Sequence, residues 1–288
     1  MPIRKFGLVA DALKSTARLD LREPTPVDDT HLRRVHTIEY IEAIRTGEPR
    51  ALAESQKFPW SAALFDSVKL TSGGCLAAAG AALDSGIAAA LVSGFHHAHA
   101  DHGEGFCTFN GLVIAVDALR AAGRIKSAAV LDLDLHYGNG TASLAVARPY
   151  LRAVSVYGND YRDNCAYKDV TARRHEDGQN HVSYALPERC TLAQMMPILE
   201  SALEALLSAG NPDLLLFQAG ADPYFEDPYS PLALDHEDLK ARDRRVFNFA
   251  RTHRIPIAWV LAGGYTPDVS KVVQVHVNTF EAAIEIYA

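Results

Sequence analysis

Residues 127–141 read SAAVLDLDLHYGNGT. The first seven are almost continuously apolar, which is the pattern of a short strand buried on both faces of a parallel sheet. Asp132, Asp134 and His136 then alternate with leucines, and Gly138, Asn139 and Gly140 turn the chain. Similar apolar runs occur at 87–93 (IAAALVS), 153–157 (AVSVY), 213–218 (DLLLFQ) and 255–261 (IPIAWVL). Helix-like stretches lie between and around them at 61–83, 111–122, 191–208, 236–253 and 269–286. Thr191 and Asp235 are N-cap residues on this reading, and Gly210 is a C′ residue. The alternation predicts a single α/β domain over residues 1–288, with a mostly parallel sheet flanked by helices. Residues 158–187 are polar, aromatic-rich and unpatterned, and read as a long loop of the functional kind.

Composition narrows the function. The chain has 288 residues, 48% hydrophobic and 22% charged, which excludes disordered and low-complexity classes. Thirty-five acids against 28 Lys and Arg give a net charge of -7, which argues against direct nucleic-acid binding and tolerates a cationic partner. No apolar window reaches a membrane span, and MPIRKFGLVA holds no signal peptide. Cys75, Cys107, Cys165 and Cys190 are scattered and form no CxxC, so a reduced, cytoplasmic protein without a membrane partner is expected.

The chemically loaded residues fall where apolar runs end. They lie in GFHHAHADHGEGFCTFN (94–110), LDLDLHYGNGT (131–141), FQAGADPYFEDP (217–228) and LAGGYTPD (261–268). Ligands of open parallel sheets bind at the carboxyl ends of strands, so the four segments predict one shared site. Asp134 and His136 are two apart, which on a strand tail turns both side chains to one side. Asp222, also at a strand end, supplies a third ligand. Two carboxylates and an imidazole suit Zn²⁺, and so oxygen-rich a set also suits Fe²⁺, Co²⁺ or Mn²⁺. Alone, D-x-H reads as a helix cap beside a polar niche; with three further strand-end motifs it reads as a metal site. His96 and His97 are adjacent, so one faces a substrate as general base and acid while the other supports the site. The Gly263-Gly264 turn brings a phenol, Tyr265, to where it can donate to a developing oxyanion.

A competing motif is present. His97-Ala98-His99-Ala100-Asp101-His102 reads H-x-H-x-D-H, similar to the metal signature of metallo-β-lactamase-like hydrolases. That family has a β-rich first half, whereas residues 61–83 here are Ala-rich and helical. The match is read as coincidental, with His99 and His102 on the rim of the site and carrying secondary metal affinity.

Together the four segments resemble the histone deacetylase family, of the arginase–deacetylase fold, in order and separation. RRVHTIEYIEAIRTG (33–47) extends the resemblance over nearly the whole chain. Phe95, the short length and FPWSAAL (58–64) are most similar to class IV deacetylases and their bacterial relatives. The resemblance implies that Asp134, His136 and Asp222 ligate Zn²⁺, with His97 as general base and acid and His96 as its electrostatic partner. It further implies that Tyr265 polarises the carbonyl, that Asp132 orients His96, and that Gly105, Phe106 and Cys107 line an acyl-lysine tunnel. A structural K⁺ site would use Asp132, Ser155 and backbone oxygens of Asp134, His136 and Val156. Three departures stand out. Asn139 replaces an Asp paired to the base in many class I members. Leu261 and Ala262 replace glycines, which should narrow the pocket behind the metal. Tyr229 replaces a tunnel-wall Met or Leu. The implied activity is removal of acetyl or longer acyl groups from the ε-amine of lysine in a peptide or protein. The alternatives are acetylpolyamine hydrolysis, on an acetylated small amine, and a catalytically weak acyl-lysine binding module.

Overall fold

The computed structural model describes residues 3–14, 16, 18–161 and 178–288. Six strands are described: β1 (Ile87–Ala90), β2 (Ala128–Asp132), β3 (Leu151–Tyr157), β4 (His181–Ala185), β5 (Leu215–Ala219) and β6 (Ile257–Leu261). All pairings are parallel, in the order β1-β6-β5-β2-β3-β4. The α/β expectation therefore holds. Strand β4 corrects the reading of 158–187 as an unpatterned loop. It is an edge strand whose buried face carries the polar His181 and Ser183 while Val182 and Tyr184 on the other face are half-buried, so the usual apolar-inside alternation is inverted and hidden. Residues 162–177 of that segment, including Cys165, lie outside the described residues.

The helices are α1 (Arg4–Leu13), α2 (Asp29–Arg33), α3 (Ile38–Thr46), α4 (Arg50–Ala53), α5 (Leu64–Ser85), α6 (Gly111–Ala121), α7 (Asn139–Ala145), α8 (Leu192–Leu206), α9 (His236–His253) and α10 (Val269–Tyr287). Thr191 and Asp235 do cap α8 and α9, each in a capping box, with Gln194 and Asp238 respectively. Gly210 is not the C′ residue. Helix α8 closes on Leu207 in a right-handed conformation, and Gly210 takes its φ of +95° in the turn beyond. Among the described residues, no helix is long and apolar enough to cross a membrane.

Alternate residues of one strand enter opposite layers, as the near-continuous apolar runs require. Ala129, Leu131, Leu215 and Phe217 pack with Leu199 and Leu203 of α8, Phe247 of α9 and Phe280 of α10. Ala128, Val130, Leu214 and Leu216 pack with Ala79 of α5 and Val113 of α6. The sheet is thus the middle of three layers. From β2 the chain moves outward to β3 and β4, then returns on the other side of β2 with β5 and β6. The winding reverses between β2 and β5, paired with Asp132 opposite Gln218. A crevice at the carboxyl ends of these two strands follows from that reversal.

Candidate active site

Asp134 and His136 leave β2, and Asp222 leaves β5, so the reversal point brings the three together. Their ligand atoms lie within 4.8 Å of one another, and all three residues are buried. His136 Nδ1 is 3.1 Å from Asp134 Oδ1 and 3.0 Å from Asp222 Oδ2. The remaining carboxylate oxygens are held by backbone: Asp134 Oδ2 accepts from Gly263 N–H at 2.8 Å, and Asp222 Oδ1 from Leu135 N–H at 3.0 Å. One oxygen of each carboxylate is thereby aimed at His136. Ligands about 2.0 Å from a tetrahedral Zn²⁺ stand about 3.3 Å apart, so this donor set fits a small divalent ion. Burial opposes charge on His136, yet the two carboxylates outweigh it and push its pKa up to about 10. The site attracts a cation.

The His pair follows β1, and its members have different partners. His96 Nδ1 lies 2.7 Å from Asp132 Oδ2, and His97 Nδ1 lies 2.6 Å from Asn139 Oδ1. Burial disfavours charge on both rings. Asp132 and Asp134 reverse that for His96, raising its pKa above the usual value. For His97, burial together with His96 and His136 outweighs the opposing pull of Asn139 and Asp134 and holds it well below the usual value. Charge is thus favoured on one ring and disfavoured on its neighbour, a division suited to an electrostatic partner beside a base. The His97 ring stacks on Tyr161 at 3.9 Å and lies 5.9 Å from the His136 ring. Gly105 lies against it with φ +50°; a Cβ there would come within 2.4 Å of His97 Cδ2. No larger residue fits.

Tyr265 sits beyond β6 on the turn through Gly263, where an added Cβ would come within 1.9 Å of Asp222 Oδ2. Its ring is 6.2 Å from His136, 6.4 Å from Phe106 and 5.0 Å from Tyr229. Burial, and then the Asp222 and Asp134 carboxylates, keep its phenol well above the usual pKa and so available as a donor. Tyr229 lies 6.2 Å from His136, and Phe106 is extended outward by Phe58 at 5.2 Å. Cys107 is buried beneath, its Sγ 3.5 Å from Gly105 O.

Sequence reading did not single out two residues of this site: Asp227, inside the 217–228 segment, and Lys5, which lies in no motif. Asp227 Oδ2 accepts from Tyr265 N–H at 2.6 Å and its Oδ1 from Tyr229 N–H at 3.0 Å. Burial, and then the charge of Asp222, lift its pKa to about 7. Lys5, buried on α1, donates to Ala262 O and, at 2.7 Å, to Gly263 O. The narrowing expected from Leu261 and Ala262 is thus accompanied by a lysine behind the turn. Burial lowers its pKa to about 8, against the pull of Asp222, Asp134 and Asp227.

On the far side of Asp132, a small void is lined by Asp132, Gly138, Thr141, Val154, Ser155 and His181. Asp132 Oδ1 accepts from Asp134 N–H at 3.1 Å, and β2–β3 pairing sets Asp132 opposite Ser155. Val154 lines the void; Val156 does not. The H-x-H-x-D-H motif is not gathered into one metal group, because His97 stands apart from His99 and His102. Among the described residues the groups able to hold a metal are Asp134, His136, Asp222 and, separately, His99, His102, Glu104; His97 joins neither.

A parallel sheet that gathers buried metal-type ligands, a His pair and a phenol at its reversal point suits metal-assisted hydrolysis, and the family match assigns the class, that of deacetylases and amidohydrolases. The model of the histone deacetylase domain matches residues 2–280, and the chain belongs to that family. It is 28% identical to Histone deacetylase 2 of Arabidopsis thaliana over 284 residues, 93% of this chain and 70% of that one. It is 32% identical to an acetylpolyamine amidohydrolase of Burkholderia pseudomallei over 173 residues, 59% of this chain and 48% of that one. The HD domain of HDA15 has the same fold, with a TM-score of 0.79 at 20% identity over 97% of this chain and 83% of that one.

Proposed function

We propose that the chain, as one catalytic unit over residues 1–288, is a zinc-dependent hydrolase that removes acyl groups from the ε-amine of lysine. The observation that carries this reading is the buried Asp134–His136–Asp222 set with the His97 and Tyr265 rings 5.9 and 6.2 Å from His136. A divalent ion held by those three residues would polarise the acyl carbonyl and acidify a water molecule. His97, neutral because buried, accepts the proton of the attacking water and returns it to the departing amine. Asn139 fixes its tautomer by accepting from Nδ1–H, which leaves Nε2 as the basic atom. His96, charged and held by Asp132, supplies a fixed positive field beside it. The Tyr265 phenol donates to the oxyanion as it forms. Phe106 and Tyr229 flank the apolar stem of the substrate, over the floor made by Gly105 and Cys107. K⁺ held by Asp132, Ser155 and the carbonyls of Asp134, His136 and Val156 would brace the His96 side.

The buried free thiols of Cys75, Cys107 and Cys190 support a reducing, cytoplasmic setting. A second reading, hydrolysis of an acetylated polyamine, is favoured by the 32% identity to the Burkholderia pseudomallei enzyme. A turnover panel on the zinc-loaded protein separates them, using acetyl-lysine and longer acyl-lysine peptides beside acetylpolyamines. Preference for the peptides is expected. Preference for acetylpolyamines supports the second reading, and no turnover of either overturns both.

A further inference from the structure

The loop from β1 to α6 carries a second cluster, apart from Asp134, His136 and Asp222. His99 Nε2 is 3.7 Å from Glu104 Oε2, and His102 Nε2 is 3.6 Å from Glu104 Oε1. The two imidazoles stack 4.5 Å apart at 6°, and the ligand atoms of all three residues lie within 4.8 Å of one another.

The hydrogen bonds around the cluster assign its protons. His102 Nδ1 lies 2.7 Å from Asp101 Oδ1, and an ionised carboxylate only accepts, so the ring proton is on Nδ1. His99 Nδ1 lies 2.9 Å from Ser143 Oγ. The single hydroxyl proton of Ser143 is donated to Gly140 O at 2.8 Å, so Oγ accepts from His99 Nδ1–H. With Nδ1 of each ring engaged elsewhere, both Nε2 atoms face the Glu104 carboxylate. Imidazoles whose other nitrogen is tied to a carboxylate or hydroxyl are the pattern of metal-ligating histidines.

We infer that His99, His102 and Glu104 form a second binding site for a borderline divalent cation of the Zn²⁺, Co²⁺ or Ni²⁺ type. Two imidazoles and a carboxylate favour these ions over Mg²⁺ or Ca²⁺. The site is open: the side chains of His99 and Glu104 are 20% exposed and that of His102 is 38% exposed, so water completes the coordination and affinity is lower than at the buried set. Glu104 Oε2 also accepts from Asn139 Nδ2–H at 2.6 Å, and Asn139 Oδ1 in turn holds His97. The site is thus one hydrogen-bonded side chain, Asn139, removed from His97.

Calorimetric titration of the metal-stripped, full-length protein with Co²⁺ in a non-coordinating buffer tests the inference. Two binding classes per chain are expected, one tight and one weaker. His102→Ala should abolish the weaker class and keep the tight one, and Asp222→Ala should do the reverse. Glu104→Gln, which keeps the side-chain volume, should weaken the weaker class at least tenfold. A single class in the wild-type protein, or a weaker class that survives both His102→Ala and Glu104→Gln, overturns the inference. Loss of only the tight class in Asp222→Ala leaves it standing, so its failure and that of the central metal reading are distinguishable.

Discussion

Tyr265 gives the sharpest residue-level prediction. Tyr265→Phe keeps the ring contacts with Tyr229 and Phe106 and removes only the hydroxyl. Loss of one oxyanion donor costs about 100- to 1,000-fold in kcat. KM and bound metal should change little, because the donor acts mainly as charge develops. Near-normal kcat with metal in place would remove the phenol from the mechanism. Tyr229 gives a specificity prediction. Its ring lies 5.0 Å from Tyr265 and 6.2 Å from His136, close enough to limit what reaches the metal set. Tyr229→Leu should raise kcat/KM for long acyl-lysine relative to acetyl-lysine. An unchanged ratio across chain lengths would mean that the ring does not set the limit.

At the scale of elements, the loop holding the His pair is fastened to the N-terminal helices through His36, which follows α2. Its Nδ1–H donates to His99 O at 2.8 Å, and its Nε2 accepts from Asn110 N–H at 3.1 Å, at the start of α6. Protonation would put a second donor against that N–H. Burial accordingly lowers the pKa of His36 to about 3. The folded value lies below the unfolded value of about 6.5, so the unfolded chain binds the proton first. The contribution of His36 is fully present above about pH 6.5 and is lost as pH falls towards 3. The loss is about 1.4 kcal/mol per unit, or about 2 kcal/mol by pH 5. Denaturant unfolding at pH 7 and pH 5 should show a smaller difference for His36→Gln than for the wild-type protein. Equal differences would contradict the assignment.

The elements also mark how far the sequence can be read. Strands β2, β3, β5 and β6 are buried on both faces, and β1, a half-buried edge strand, still carries a continuous apolar run, so these five announce themselves. The long helices α5, α6, α8, α9 and α10 have stripes wide enough to be seen. Strand β4 at the polar edge and the short helices α2, α4 and α7 lack a periodic signal. The convergence of Asp134, His136, Asp222, the His pair and Tyr265 was legible because each sits in a compact motif at a strand end. Lys5 and Asp227 were not, because they act on backbone groups. Lys5 reaches carbonyls 257 and 258 positions away, and no local spacing encodes that contact.

Across the whole molecule, Lys5 joins the first helix to the last strand's turn, just behind the proposed metal. Replacing it with Met keeps the volume and removes both hydrogen bonds to Ala262 and Gly263. The turn that carries Tyr265 then loses an anchor, and small misplacements of a reacting group cost up to about 100-fold. Lys5→Met should lower kcat by at least about tenfold. The melting midpoint should stay within a few degrees, because removing a buried charge offsets the lost bonds. Unchanged kcat would show that the turn holds its place without Lys5.

The central claim is that the residues converging at the sheet's reversal point hold the metal that hydrolysis needs. Its most direct measurement is the tightly held metal, retained through desalting, together with acetyl-lysine turnover, in wild-type protein and Asp222→Ala. The wild-type protein should keep one zinc per chain and turn over; Asp222→Ala should fold, lose that zinc and be inactive. An Asp222→Ala protein that keeps one tightly bound zinc and its activity would contradict the account.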